Sequence, residues 1–403
     1  MSPSKTHPEF FADAERVVTP LCEALRELLD PSEAGGGVKP RRAIAINPTL
    51  RSRVTRAIES NHLPSRLYFL PGPTGLRELV KAAQQTGTGP QDVERTLARI
   101  DAYESLLRVE NMSRDALHAM VGDLAPEAHA SVVRTNGQAV HKAMANLIGY
   151  SAEVMLTSLI LLPGREPGLC ELAQVSGFDR LQRHRTGAWF MTSGYGTTDG
   201  QAAMPRTLDG RPAAGRGPET LLTAYCSSPT PAFESTHTGR RHVYRLAEQE
   251  VAIRSACSFY FAERVSDAYP DPPAPASNGG GLAMASVIIA TPARHLHFDV
   301  LVHKDLWRGA SVSMATFRTV PHGPVDEQRI EERATDQIDL GVRAHASELS
   351  PGALNAPKLR RYAPMMRDVL DRLGVSADDF RLHRCEAAYP LYGTQYAMCF
   401  RTP

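Results

Sequence analysis

The spacing of apolar residues changes near residue 150, and that change limits the fold more than any single motif does. Before it, Phe11, Ala14, Val18, Leu21, Leu25, Leu28 and Leu29 recur at intervals of three and four. Val93, Leu97, Ile100, Leu106 and Leu107 do the same over residues 91–109. Such intervals line one stripe of a helix. Further helices are expected at 74–84, from Ser113 and Asp115 onward, and at 126–147, where Gly149 stops the last. Up to residue 150 the chain reads as all-α. Beyond it, alternation of period two and short apolar runs predict strands at 188–192, 221–226, 242–246, 251–262, 284–290, 295–303, 312–320 and 395–401. Residues 154–162 form a buried element whose type the pattern leaves open. Residues 357–373 read as an amphipathic helix closed by Gly374. The expected fold class is α+β: an all-α region over 1–150 and a β-rich mixed domain over 151–403 that senses a ligand or forms an oligomer.

Composition narrows the function classes. With 403 residues, 42% of them hydrophobic and 22% charged, the chain can bury the cores of two domains. Its 45 basic and 44 acidic residues nearly cancel, so a surface built throughout for nucleic acid is excluded and any such contact must come from a patch. Six cysteines without a CxxC pair read as buried thiols and not as a zinc site. The N-terminal residues lack an apolar signal core, and the longest apolar run is too short to span a bilayer. The expectation is a cytoplasmic protein without a membrane partner.

A patch does occur. Between Lys39 and Arg66 stand seven basic residues and one acid, Glu59. Asn47-Pro48 is a helix start, since Asn caps and Pro at the first position has no amide to leave unpaired. Leu50, Val54, Ala57 and Ile58 then share one stripe, with Thr49, Ser52, Thr55 and Arg56 opposite and Arg51 and Arg53 on the flanks. This stretch resembles a divergent helix-turn-helix DNA-binding module, whose second helix enters the major groove. The resemblance implies that Thr49, Ser52 and Arg56 approach base edges, and that Arg51 and Arg53 hold phosphates with Arg41 and Arg42 just before them. It covers roughly 30 residues of the chain. The preceding element, 40–46, is shorter than that module's first helix, and no glycine marks the turn. The partner it implies is duplex DNA, bound by a homodimer through two half-sites.

A second constellation is residues 294–303, RHLHFDVLVH. As a strand it puts His295, His297, Asp299 and His303 on one face, where they could bind a divalent metal or supply a general base. A half-buried strand with a wet outer face gives the same alternation. Phosphate loops, HExxH and GxSxG are absent from the sequence. The function expected is therefore a transcriptional regulator with no catalytic residue, no metal and no cofactor. The alternative is a metal-dependent hydrolase or oxygenase using the histidine strand.

Overall fold

The computed structural model describes the chain except residues 1–6, 30–45, 110–111, 113–116, 119, 122–123, 125, 189, 196–204, 214–215, 239–240, 248–255, 272, 274–279, 327–329, 331 and 351, and except some side chains beside these gaps. The Gly35–Gly37 linker, the helix start at Ser113 and Asp115, and the first residues of the strand expected at 251–262 lie outside the described residues.

Contacts divide the chain into two compact units, Met1–Val133 and Arg134–Pro403. The first holds helices α1 (His7–Leu29), α2 (Pro48–Glu59), α3 (Leu63–Phe69), α4 (Pro73–Gln85) and α5 (Pro90–Val109). The division falls within α6 (Pro126–Ile148), and helix gives way to strand at Tyr150. The first unit has a core of its own. Phe10, Ala14, Val18, Leu21, Leu25 and Leu28 of α1 meet Val54, Ala57 and Ile58 of α2, Leu76, Leu79 and Val80 of α4, and Ile100 and Tyr103 of α5. Helix α3 was not expected. Its seven residues sit between His62 and Leu70, and Ser65, Leu67, Tyr68 and Phe69 are all buried.

The second unit is built on a seven-stranded mixed sheet in the order β11-β12-β9-β1-β2-β7-β4. Its strands are β1 (Tyr150–Pro163), β2 (Leu169–Arg183), β4 (Arg206–Thr207), β7 (Cys257–Pro270), β9 (Ala293–His303), β11 (His345–Glu348) and β12 (Phe380–Ala388). β1 and β9 run parallel; the other neighbours are antiparallel. Two three-stranded sheets accompany it. One has the order β10-β13-β8 (Ser311–Arg318, Thr394–Thr402, Gly281–Ile288); the other is β3-β6-β5 (Met191–Tyr195, Arg241–Leu246, Phe233–Thr238). Apolar residues on one face of the large sheet, Phe259, Phe261, Leu296, Phe298 and Val300 among them, share a core with Ala283, Ala285, Met398 and Phe400. The opposite face packs under α7 (Tyr362–Leu373) through Leu156, Ile160, Leu301, Leu382, Met366 and Val369. Gly374 closes α7 in the left-handed region at φ 73°.

The fold is α+β, with helices concentrated before residue 150 and sheets after it. Besides α3, the strands β2 and β12 were not expected, and two further segments are decided by the structure. Residues 221–226 make a bridge and a short 3-10 turn, because the Leu222 amide bonds the Tyr260 carbonyl while the chain turns back on itself. The element at 154–162 is the central part of strand β1, covered on both faces, which explains its continuous apolar run. All six cysteines are buried and outside disulfides. Among the described residues, no helix is long and apolar enough to cross a membrane.

Candidate nucleic-acid interface

Helix α2 begins as its sequence dictates. The Asn47 side chain accepts the Thr49 amide at 2.8 Å, and Pro48 occupies the first helical position. Its first turn carries no acid, so the partial positive charge of its N-terminus is uncompensated on the helix itself. The C-terminal end is pinned instead. Arg26 of α1 donates to the Ile58 carbonyl at 2.8 Å, and Arg66 of α3 donates to the Ser60 carbonyl at 2.7 Å and to Thr19 Oγ1 at 3.1 Å. These guanidiniums satisfy carbonyls that a helix end leaves open, and their charge matches its negative pole.

Burial sorts the face as the periodicity predicts. Val54, Ala57 and Ile58 are buried and Leu50 packs beside them, with its Cδ1 against the N-terminal turn of α4 at Gly75. Thr49, Arg51, Ser52 and Arg56 are exposed. The Arg51 side chain makes no ion pair or hydrogen bond among the described residues. The Arg56 guanidinium lies 5.5 Å from the centre of the Phe69 ring, at the C-terminal end of the exposed face.

Arg53, on the flank of the helix, sits differently from Arg51. It is half-buried, and its Nη2 donates to the Tyr68 carbonyl at 3.4 Å. Burial pulls its pKa down, while Tyr68 and Tyr103 act the other way. This contact ties α2 to α3 through one nitrogen of the guanidinium. Arg41 and Arg42, and nearly all of the element before α2, lie outside the described residues.

The sequence reading missed Asn61 and His62. They are exposed in the turn between α2 and α3 and border an open depression with Arg56, Glu59, Ser60, Ser65 and Phe69. Their side chains are of the type that bonds base edges and phosphates. No signal in the sequence distinguished them from ordinary turn residues.

No protein-family model matches this chain, and no curated protein does.

The histidine strand resolves differently. β9 does alternate, but its polar face is not wet: it is covered by α7. Asp299 is fully buried, and the cross-strand register brings Ser158 and Arg384 to its two sides and Glu386 beside His297. Arg384 donates Nε to Asp299 Oδ1 at 2.9 Å and Nη2 to Oδ2 at 2.7 Å. Tyr362 of α7 donates its hydroxyl to the same Oδ2 and receives the Ser158 hydroxyl at 3.0 Å. His297 Nε2 is 3.2 Å from Asp299 Oδ2, and its Nδ1 is 3.3 Å from Glu386 Oε1.

Burial would raise the Asp299 pKa, but His297 and Arg384 outweigh it and hold the carboxyl down at about 2. Burial likewise opposes a charge on His297, yet Asp299 and Glu386 prevail and raise its pKa above the usual value. The Tyr362 phenol is pushed well up, first by burial and then by Asp299, so it stays a proton donor. The cluster is a satisfied ionic network that fastens α7 to the sheet.

The other two histidines stand apart from it. His295 Nδ1 accepts Lys358 Nζ at 2.9 Å, and His303 Nδ1 accepts the Asp305 amide at 3.2 Å. Among the described residues, no three His, Cys, Asp or Glu side chains are arranged to hold a metal ion. The metal reading of this strand is therefore set aside, because its donors are already engaged with protein groups.

Proposed function

We propose that this protein binds duplex DNA through the N-terminal half of α2 and acts as a transcriptional regulator. One observation carries the reading. The helix is clamped by its apolar face and its C-terminus, and it leaves Thr49, Arg51 and Ser52 outward at an N-terminus that no acid on the helix compensates, with Arg56 outward in its last turn. A groove-entering helix presents that end, with side chains that bond bases and phosphates. In this reading Thr49, Ser52 and Arg56 face base edges, Arg51 holds a phosphate, and Arg53 keeps the helix in place. The second unit serves as a sensor or assembly domain, and a homodimer brings two α2 helices to two half-sites.

The test is binding of the full chain to a random 30-base-pair duplex across a salt series. Log affinity should fall with log salt by a slope of several, and Arg51→Ala should weaken binding to every sequence and reduce the slope by about 1. Arg56→Ala should relax preference at one base pair by about 1–3 kcal/mol once a target is selected. Absence of binding at low salt would remove the reading.

A further inference from the structure

In the second unit, the end of α6 meets the start of β1, the end of β2 and the start of β9. There α6 rests on a narrow seat. Of residues 134–148 only Gly137 and Ala145 are buried, and Val140, His141, Met144 and Ile148 are half-buried. Gly137 lies so close to the chain after β12 that a Cβ on it would stand 2.8 Å from the Tyr389 carbonyl oxygen. The His141 ring meets the Tyr389 ring edge-on at 5.6 Å, and the same tyrosine ring lies 6.5 Å from that of His295. Tyr389 is held in place by its amide, which donates to the Arg294 carbonyl at 2.7 Å. Lys358, just before α7, donates Nζ to His295 Nδ1 at 2.9 Å. At the last turn of α6, Arg185 donates to the Leu147 carbonyl at 2.8 Å, and His184 Nε2 lies 2.7 Å from Ser151 Oγ.

We propose that His141 and His295 form an acid-sensitive clasp, which seats residues 134–148 of α6 while both rings are neutral and releases them on protonation. The geometry leaves neither ring room for a second proton. His295 Nδ1 accepts from an ammonium, so a proton there removes the lone pair that Lys358 uses and sets two cations 2.9 Å apart. His141 Nε2 is buried without a hydrogen-bond partner among the described residues, so its imidazolium would carry a buried donor with no acceptor. The charged groups on the surrounding elements are Arg185, Arg294, Lys358 and the exposed Lys142 against two carboxylates. Both carboxylates are engaged: Glu153 lies 3.7 Å from Arg294 Nη1, and Glu386 lies 3.3 Å from His297 Nδ1. His184 keeps its Ser151 contact in either protonation state and adds only charge. Burial, joined by Arg294 and His184 at His141 and by Lys358 and Arg294 at His295, holds both rings below the ordinary histidine value of 6.5, with Glu153 acting the other way. The clasp is therefore closed above 6.5 and opens as pH falls below it, opposite in sign to His297. It acts on the stretch directly after the division between the units. It is independent of the DNA reading and would stand if that reading fell.

Hydrogen exchange of the full chain, read by mass spectrometry from about pH 7.5 to about pH 5 and scaled for the intrinsic pH dependence of exchange, tests it. Helix α7 is the internal reference, because Asp299 stays charged and His297 protonated across the acid half of that range. The expected result is a loss of protection over residues 134–148 of about tenfold or more on acidification, with no matching loss in α7. The double variant His141→Gln, His295→Gln should keep its protection in acid. Each single variant should cut the acid-dependent loss by about threefold or more, which decides the matter if the double variant does not fold. The proposal is overturned if residues 134–148 keep their protection in acid, or if they and α7 lose it together. It is equally overturned if the folded variants lose protection on acidification as the unmodified chain does.

Discussion

Arg51 and Arg53 are two positions apart on one helix, and their surroundings give them different work. Arg51 is solvated and is expected to affect only DNA binding. Arg53 bonds the Tyr68 carbonyl in a half-buried site, so Arg53→Ala should lower the urea midpoint of the helical unit while Arg51→Ala leaves it unchanged. Asp299 is the clearest energetic case. It is fully buried with a bidentate arginine, a tyrosine and a histidine upon it. Asp299→Asn removes the charge that Arg384 and His297 need, and should cost about 3–5 kcal/mol in denaturant unfolding.

The pH dependence follows from the directions of the shifts. The folded pKa of His297 lies above the ordinary histidine value of 6.5, so its stabilisation is complete below 6.5 and is lost as pH rises through the folded value. The Asp299 contribution is present above 3.8 and is lost as pH falls toward about 2. The part of the unfolding free energy that His297→Gln removes should therefore decline as pH rises above 6.5, whereas His141, His184, His295 and His383, whose folded pKa values lie below 6.5, act in the opposite direction as pH rises toward that value. An unchanged slope in the variant would show that another group titrates there.

At the scale of elements, α2 was legible because every local signal agreed. Cap, proline, apolar stripe and polar face all specify the same helix. Asn47→Ala should cost about 1 kcal/mol, and Asn47→Asp should keep the cap. Strand β9 was legible as a strand, but its environment was not. Alternation reports two unlike faces and says nothing about what covers the polar one. The partners that complete its network sit on β1, β12 and α7, and β12 was not expected as a strand at all. β2 was missed for a local reason. Its pairing with β7 shifts register between Cys170 and Leu172 and again between Phe178 and Leu181, where Arg180 has φ 51°, so the period is interrupted at both ends of the regular stretch. Close backbone approach also shapes this pair. A Cβ at Gly177 would lie 2.2 Å from the Phe259 carbonyl oxygen, so Gly177→Ala should destabilise the β2–β7 pairing by about 1–3 kcal/mol, measurable by urea denaturation.

At the scale of the whole chain, each unit has a separate apolar core. Trp307 is buried in the core of the second unit, whereas helix content is concentrated in the first. Tryptophan fluorescence and far-UV circular dichroism should accordingly give transitions that do not coincide, and Asp299→Asn should move the fluorescence midpoint alone. Coincident transitions would mean that the units unfold as one. The amino-acid sequence by itself determined the division into a helical and a sheet-rich part, the start and faces of α2, and the two sides of β9, because these depend on neighbours within a few residues. Only the tertiary structure decided that Arg53 is engaged and Arg51 free, that Asp299 is buried in a network, and that His141 and His295 meet at Tyr389. Each of those depends on groups brought together from distant parts of the chain, and periodicity specifies faces without naming what lies against them.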